Sequence, residues 1–385
     1  MGIFVGAPLI LLFLQFFSLG SGDLLPVPQK DIITTKDLRQ RLSLGDINID
    51  LPALYVFGEA FVDVGNNKFL EANTNKFTFA PYGIDFGGGH NATGRVTNGR
   101  NVVDFIAQAL GLPSPPPALG MSDADRKKTL TGVNYGSAFG AILTEAPSVQ
   151  NITGDVLTFD EQLALFQNTT HDVKSQFNST ESYAEYMSKA LFFINMGSND
   201  FAAQWQFYYK DQYGVNNFDK YAEFVSQQFS KQLEILYKLG ARKIFVNNVC
   251  PVGCMLTSLQ PNTKACDDDT NNKVSAYNKL LPDLLKELQS TLPGSKFVLG
   301  DLYTIFEDVF ASPRSFGFTN VTGSCCKTAE RSPCNKGEEP CEYREKYVFF
   351  DLWHPTESIH FLWARRLLKD NSVCSPVNLI QLVQA

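Results

Sequence analysis

Side chains that could do chemistry cluster directly behind one short apolar segment. Residues 54–57 are all apolar and stop at Gly58, which is typical of a fully buried strand. In a parallel α/β sheet the active site forms at the carboxyl ends of the strands, so the following segment is the first to consider. It presents the carboxylates of Glu59 and Asp63, with Ala60 close by. A methyl group has no lone pair to attack with and no proton to give, so Ala60 cannot start covalent catalysis.

An ordered set of motifs resembles the GDSL lipases, also called SGNH hydrolases, and their plant members in particular. Their first block begins with Gly-Asp-Ser and ends with Asp-x-Gly-Asn-Asn. The matching segments here are, in order, Gly58-Glu59-Ala60, Asp63-Val64-Gly65-Asn66-Asn67, Pro81-Tyr82-Gly83, Thr93-Gly94-Arg95 with Asn98-Gly99, Gly132-Val133-Asn134-Tyr135, Gly197-Ser198-Asn199-Asp200 and Asp351-Leu352-Trp353-His354-Pro355-Thr356. Each match alone is weak, but the ordered set covers nearly the whole mature chain.

The resemblance implies roles for individual residues. In active members a first-block serine attacks an ester carbonyl, a histidine takes its proton, and an aspartate three residues earlier orients that histidine. His354 and Asp351 match the last two. An isolated histidine is more often structural, but the Asp-x-x-His-Pro context favours an inherited site residue. The resemblance further implies that the Asn199 side chain and the Ala138 backbone N–H help to stabilise the oxyanion.

Three departures from the family pattern bear on activity. Ala60 occupies the serine position, Glu59 replaces the usual aspartate, and Ala138 and Phe139 stand where the family usually has two glycines. The Phe139 ring adds bulk near where the acyl group should sit. Loss of a nucleophilic serine costs on the order of 10⁶-fold in turnover in a protease. We therefore expect little or no ester hydrolysis.

Three functions follow from these observations. The first is a non-hydrolysing protein that binds a lipid, an acyl ester or a secreted protein partner. The second is an active ester hydrolase or acyltransferase with a displaced nucleophile, for which Ser137 is the nearest candidate by motif. The third is a role in protein assembly or storage. No phosphate-binding loop, metal cluster or dinucleotide fingerprint is recognisable in the sequence, so no cofactor is implied.

The elements that would position these residues alternate along the chain. Apolar runs at 54–57, 190–196, 243–249 and 296–299 predict buried parallel strands. Helical patterns cover 219–239, 270–292 and 357–368, with Pro282 expected to kink or break the second. We predict one domain over residues 51–385, preceded by a polar segment at 23–50. Its expected fold is a three-layer α/β/α sandwich with a central parallel sheet, flavodoxin-like as in SGNH hydrolases.

The N-terminus and the acceptor sites predict secretion. Residues 1–22 have the apolar run and small-residue ending of a signal peptide, and Pro8 and Gln15 interrupt the run, which argues against a membrane anchor. Five Asn-X-Ser/Thr sites are expected to be glycosylated: Asn91, Asn151, Asn168, Asn178 and Asn320. The predicted location is extracellular, with vacuole and cell wall left open. A net charge of −7 without a basic run argues against nucleic acid as a partner.

All eight cysteines lie between residues 250 and 374, in the C-terminal part of the chain. Behind a signal peptide, an even count predicts disulfide bonds formed in an oxidising compartment. Zinc is the alternative, because Cys250 and Cys254 have metal-like spacing, but no histidine lies near this cluster. The pairing cannot be deduced from the sequence.

Overall fold

A computed structural model describes residues 34–45, 47–71, 77–88, 92–144, 154–202, 218–329 and 333–385. The predicted signal peptide and the acceptor sites Asn91 and Asn151 lie outside these ranges. Asn168 and Asn178 are exposed, and Asn320 is partly buried.

A central sheet is formed by the four predicted strands. They are β1 (Leu54–Gly58), β2 (Leu191–Asn195), β3 (Lys243–Asn247) and β4 (Lys296–Gly300), each parallel to the next. Every residue of β1 and β2 is buried, which explains their continuous apolar sequence. The expected α/β fold with a mostly parallel sheet is thus confirmed.

Further segments of the chain pair with the outer strands β1 and β4. On the free side of β1, residues 131–137 run parallel to the strand, and the Tyr135 N–H donates to the Val56 carbonyl at 2.8 Å. This places the second family block beside the first. The short strands are β5 (Asn320–Ser324), β6 (Tyr347–Phe349), which pairs with β5, and β7 (Cys374–Ser375), which is antiparallel to β4.

Helices flank the sheet. In the described residues the α-helices are α1 (Thr35–Arg41), α2 (Val102–Leu110), α3 (Asp123–Lys128), α4 (Phe159–Lys174), α5 (Thr180–Lys189), α6 (Phe218–Lys238), α7 (Asp268–Asn278), α8 (Leu281–Thr291), α9 (Leu302–Ala311), α10 (Glu357–Lys369) and α11 (Leu379–Gln384). The pattern at 270–292 is two helices, with the break before Pro282. Proline lacks an N–H and fits the first turn of a new helix, where no donor is needed.

Six cysteines form three disulfides, as Cys254–Cys266, Cys325–Cys341 and Cys326–Cys334. Cys250 and Cys374 are buried free thiols. Cys254 therefore has a disulfide partner twelve residues onward, and does not share a site with Cys250. Among the helices that the structure describes, none has the length and apolar character needed to cross a membrane.

Candidate active site

The ends of β1 and β2 bring Glu59 against residues 197–199, where a helical segment begins. Gly58 ends β1 at a φ of 153°, and a Cβ at this position would lie 2.3 Å from the Asn195 carbonyl oxygen, so only glycine fits here. The Glu59 carboxylate then accepts five hydrogen bonds. The donors are the Gly197 N–H, the Ser198 N–H at 2.8 Å and hydroxyl at 2.6 Å, and the Asn199 N–H at 3.0 Å and side-chain amide at 2.6 Å.

Two buried acidic residues, Glu59 and Asp200, lie close to the ends of β1 and β2. Burial raises the pKa of Glu59 to about 7, against the opposing effect of the hydrogen bonds from Ser198, Asn199 and Gly197. These donors favour the ionised form of the carboxylate, whereas burial favours the protonated form. Burial, with a contribution from Glu59, raises the pKa of Asp200 to about 8, although the Ile142 and Leu143 N–H groups donate to it.

The donors that the resemblance assigned to the oxyanion are already engaged. The Asn199 side-chain nitrogen donates to Glu59 Oε2 at 2.6 Å and to the Gly140 carbonyl at 2.9 Å. The Ala138 N–H donates to Asp63 Oδ2 at 2.9 Å. A primary amide has two hydrogens and a peptide has one, so neither group has a spare donor in this arrangement.

Asp63 joins the first and second family blocks. Besides the Ala138 N–H, it accepts the N–H groups of Gly65 at 2.7 Å and Asn66 at 2.8 Å. The Asn66 side chain in turn donates to the carbonyls of Asn134 and Gly136 at 2.9 and 2.8 Å. These bonds are buried, and they fix the two blocks against each other.

The other half of the site lies on a tight turn after β6. His354 Nδ1 is 2.8 Å from Asp351 Oδ2, which matches the pairing that the resemblance implies. The Trp353 and His354 N–H groups donate to Asp351 Oδ1 at 2.8 Å, and the Tyr82 hydroxyl donates to Oδ2 at 2.6 Å. Burial alone would raise the pKa of Asp351, but His354, Tyr82 and Trp353 together lower it below its usual value. Asp351 is thus ionised beside its histidine.

Tyr82 is a site residue to which the sequence analysis gave no role. Its oxygen also accepts the Cys334 N–H at 3.2 Å, so one hydroxyl links the Cys326–Cys334 disulfide segment to Asp351. Burial and the charge on Asp351 raise the pKa of Tyr82, which keeps the hydroxyl protonated and donating. The Pro-Tyr-Gly motif was the available signal, but it does not say which acceptor the tyrosine reaches.

Two aromatic rings pack against His354. The centroids of Phe77 and Phe61 lie 5.8 and 6.2 Å from that of the imidazole, both edge to face, and Phe77 stacks against Phe139 at 6.4 Å. Ala60 and Phe139 pack against the same buried cluster as Phe77. Phe139 has a φ of 67°, in the left-handed region that favours glycine. Phe139 thus has a strained backbone conformation in this aromatic wall, which consists of Phe61, Phe77 and Phe139.

Ser137 is placed differently from what a nucleophile requires. Its side chain is fully buried, its hydroxyl donates to Asn67 Oδ1, and its oxygen accepts the Leu157 N–H at 3.1 Å. It makes no hydrogen bond to His354. Within the described residues, His354 Nε2 has no hydrogen-bond partner at all.

Comparison with known proteins shows the family of the chain. The family model of the GDSL-like lipases/acylhydrolases matches residues 54–367. Two GDSL esterase/lipases of Arabidopsis thaliana are each 36% identical to the chain, one over 340 residues (86% of this chain, 85% of the relative) and one over 355 residues (86% and 91%). GDSL esterase/lipase 7 of the same plant is 34% identical over 347 residues (86% and 92%). The chain belongs to the GDSL lipase/acylhydrolase family.

Proposed function

We propose that this protein is a GDSL esterase/lipase-like protein that binds a lipid or acyl ester without cleaving it. The observation that carries the proposal is Ala60, which directly follows Glu59 at the end of β1, where the family pattern has its serine. The Asp351–His354 pair is intact, but the position of the family's nucleophilic hydroxyl carries a methyl group. A general base without a nucleophile to deprotonate cannot form an acyl enzyme.

The rings near His354 support an acyl ligand. Phe139 is partly exposed and stacks on the buried Phe77 ring, so it offers apolar surface beside polar groups, which suits a chain with an ester at its end. Each buried methylene contributes about 0.8 kcal/mol, so four more carbons in the acyl chain should tighten binding about 10²-fold. Three disulfides and the leader-like N-terminus support a secreted protein.

Hydrolysis is tested with p-nitrophenyl butyrate and octanoate on the purified secreted protein, beside its His354→Ala variant. We expect both proteins to release p-nitrophenol no faster than buffer. Turnover by the natural protein that disappears in His354→Ala would contradict the proposal and require a displaced nucleophile.

Binding is tested by displacement of a fluorescent fatty-acyl probe with octanoyl and butyryl esters. We expect the octanoyl ester to bind more tightly, and Phe139→Asp to abolish binding because it places a charge on the aromatic wall. Ile235→Asp, on the exposed side of α6, is the matched control and should bind normally. Equal loss in both variants, or no binding by the natural protein, would oppose an acyl ligand. Co-purification of a stoichiometric secreted protein would instead favour a protein partner.

A further inference from the structure

We propose that Glu59 is a positioning residue that withdraws Asn199 from the oxyanion site, so that ester hydrolysis is blocked at a second point besides Ala60. The inference rests on the proposed function and on the oxyanion role that the family assigns to Asn199. If Glu59 holds Asn199 in this way, restoring the serine alone does not restore turnover.

The hydrogen count at Asn199 is the first step. Both amide hydrogens are used, one by Glu59 Oε2 at 2.6 Å and one by the Gly140 carbonyl at 2.9 Å. The bond to Glu59 is short, and its acceptor is a carboxylate oxygen, whose hydrogen bonds belong to the stronger class when the group is ionised. A ligand oxygen would have to displace that buried carboxylate to gain the donor.

The length of the glutamate side chain is the second step. The family's aspartate is one methylene shorter, which draws the carboxylate back by up to about 1.5 Å, the length of a carbon–carbon bond. Added to the 2.6 Å bond from the Asn199 amide, this exceeds the roughly 3.2 Å limit of a good N–H···O bond. Glutamate therefore reaches the amide, whereas aspartate would leave one of its hydrogens free.

The test compares three variants: Ala60→Ser, Glu59→Asp/Ala60→Ser, and Glu59→Asp/Ala60→Ser/Asn199→Ala. The probes are p-nitrophenyl butyrate turnover and covalent labelling of the introduced serine by a p-nitrophenyl alkylphosphonate, followed by mass spectrometry. One oxyanion donor is worth about 10²–10³ in kcat, so we expect the double variant to exceed Ala60→Ser by that factor with little change in KM. Asn199→Ala should remove the gain.

Two outcomes would overturn the inference: a folded double variant no faster than Ala60→Ser, or a gain that persists after Asn199→Ala. Should the Glu59 variants fail to fold, Asn199→Ala in the Ala60→Ser background decides by labelling rate. A withdrawn amide predicts less than about a threefold change, whereas a working donor predicts a 10²–10³-fold loss. The natural protein is assayed alongside; its turnover would refute the non-hydrolysing function, while the comparison among variants would still report on Glu59.

Discussion

The hydroxyl of Tyr82 offers a quantitative test of how the histidine–aspartate pair is held. Tyr82→Phe keeps the ring, which packs edge to face against Phe77 and Phe350, and removes only the oxygen. That oxygen donates to Asp351 Oδ2 at 2.6 Å and accepts the Cys334 N–H at 3.2 Å. The substitution therefore leaves a buried carboxylate short of one donor and a buried N–H without its acceptor.

The expected cost follows from these two bonds. A hydrogen bond to a charged group contributes about 1.5–3 kcal/mol, and an unsatisfied buried N–H costs about 1–3 kcal/mol. Because the effects share one atom and the site can relax, we expect Tyr82→Phe to lower the free energy of unfolding by about 3 kcal/mol.

Urea unfolding at neutral pH with the disulfides intact measures this loss. Tyr55→Phe is the matched control, because in the part of the chain that the structure describes the buried Tyr55 hydroxyl bonds only to the neutral Tyr186 hydroxyl, at 2.8 Å. We expect the control to cost about 1 kcal/mol, the usual value for a neutral hydrogen bond. If Tyr82→Phe costs no more than Tyr55→Phe, the link from the disulfide segment to Asp351 does not carry the energy assigned to it here.

Three further predictions concern acid burial, backbone strain and the disulfides. The pKa of Asp200 is raised to about 8 in the folded state, so the folded protein keeps a proton that the unfolded chain releases, and stability should fall as pH rises from about 4 to 8. At about 1.4 kcal/mol per unit, Asp200→Asn should remove on the order of 3 kcal/mol of the difference between urea unfolding at pH 5 and pH 8; an unchanged difference would contradict the assignment. Phe139→Gly removes a partly buried ring and relieves a positive φ, so it should cost less than about 2 kcal/mol; a loss of about 3–5 kcal/mol in urea unfolding, the usual cost of losing a fully buried ring, would argue against strain. Cys326→Ser with Cys334→Ser should cost about 2–3 kcal/mol in urea, the loop-closure value for its short span, and a variant as stable as the natural protein would refute this.

The strands and the helix break could be predicted from sequence because single local features determine them. Residues 54–57 have no charged side chain, and the Tyr55 hydroxyl is their one polar side-chain group, so burial on both faces is expected. Pro282 cannot donate an N–H, so it is expected at a kink, beyond a helix end or in the first turn of a new helix, which is where it lies. Both expectations depend on one residue type and its immediate neighbours.

Site contacts were predictable only as far as the motifs reach. The sequence placed Asp351 three residues before His354, but not the Tyr82 hydroxyl, because that acceptor lies 269 positions away. It likewise gave Glu59 as a departure from the family pattern without showing that its carboxylate takes the Asn199 amide. The acceptor of a given donor depends on how distant segments pack in the folded protein. The local sequence around each residue does not specify that packing.

The buried bonds between the first two family blocks change what a motif match can tell. The side chains of Asp63, Asn66 and Asn134 form hydrogen bonds with backbone groups of neighbouring segments. For example, Asn134 Nδ2 donates to the Val62 carbonyl at 2.8 Å. Such residues hold the loops together through hydrogen bonds. A chain without a nucleophile needs them for folding as much as a chain that has one. Most letters of the signature therefore record how the loops are assembled, and only a few report whether the assembled loops can break a bond. A genome-wide search for such signatures would therefore find proteins that share the fold. Which of them are enzymes has to be judged from single residues, such as the one at position 60.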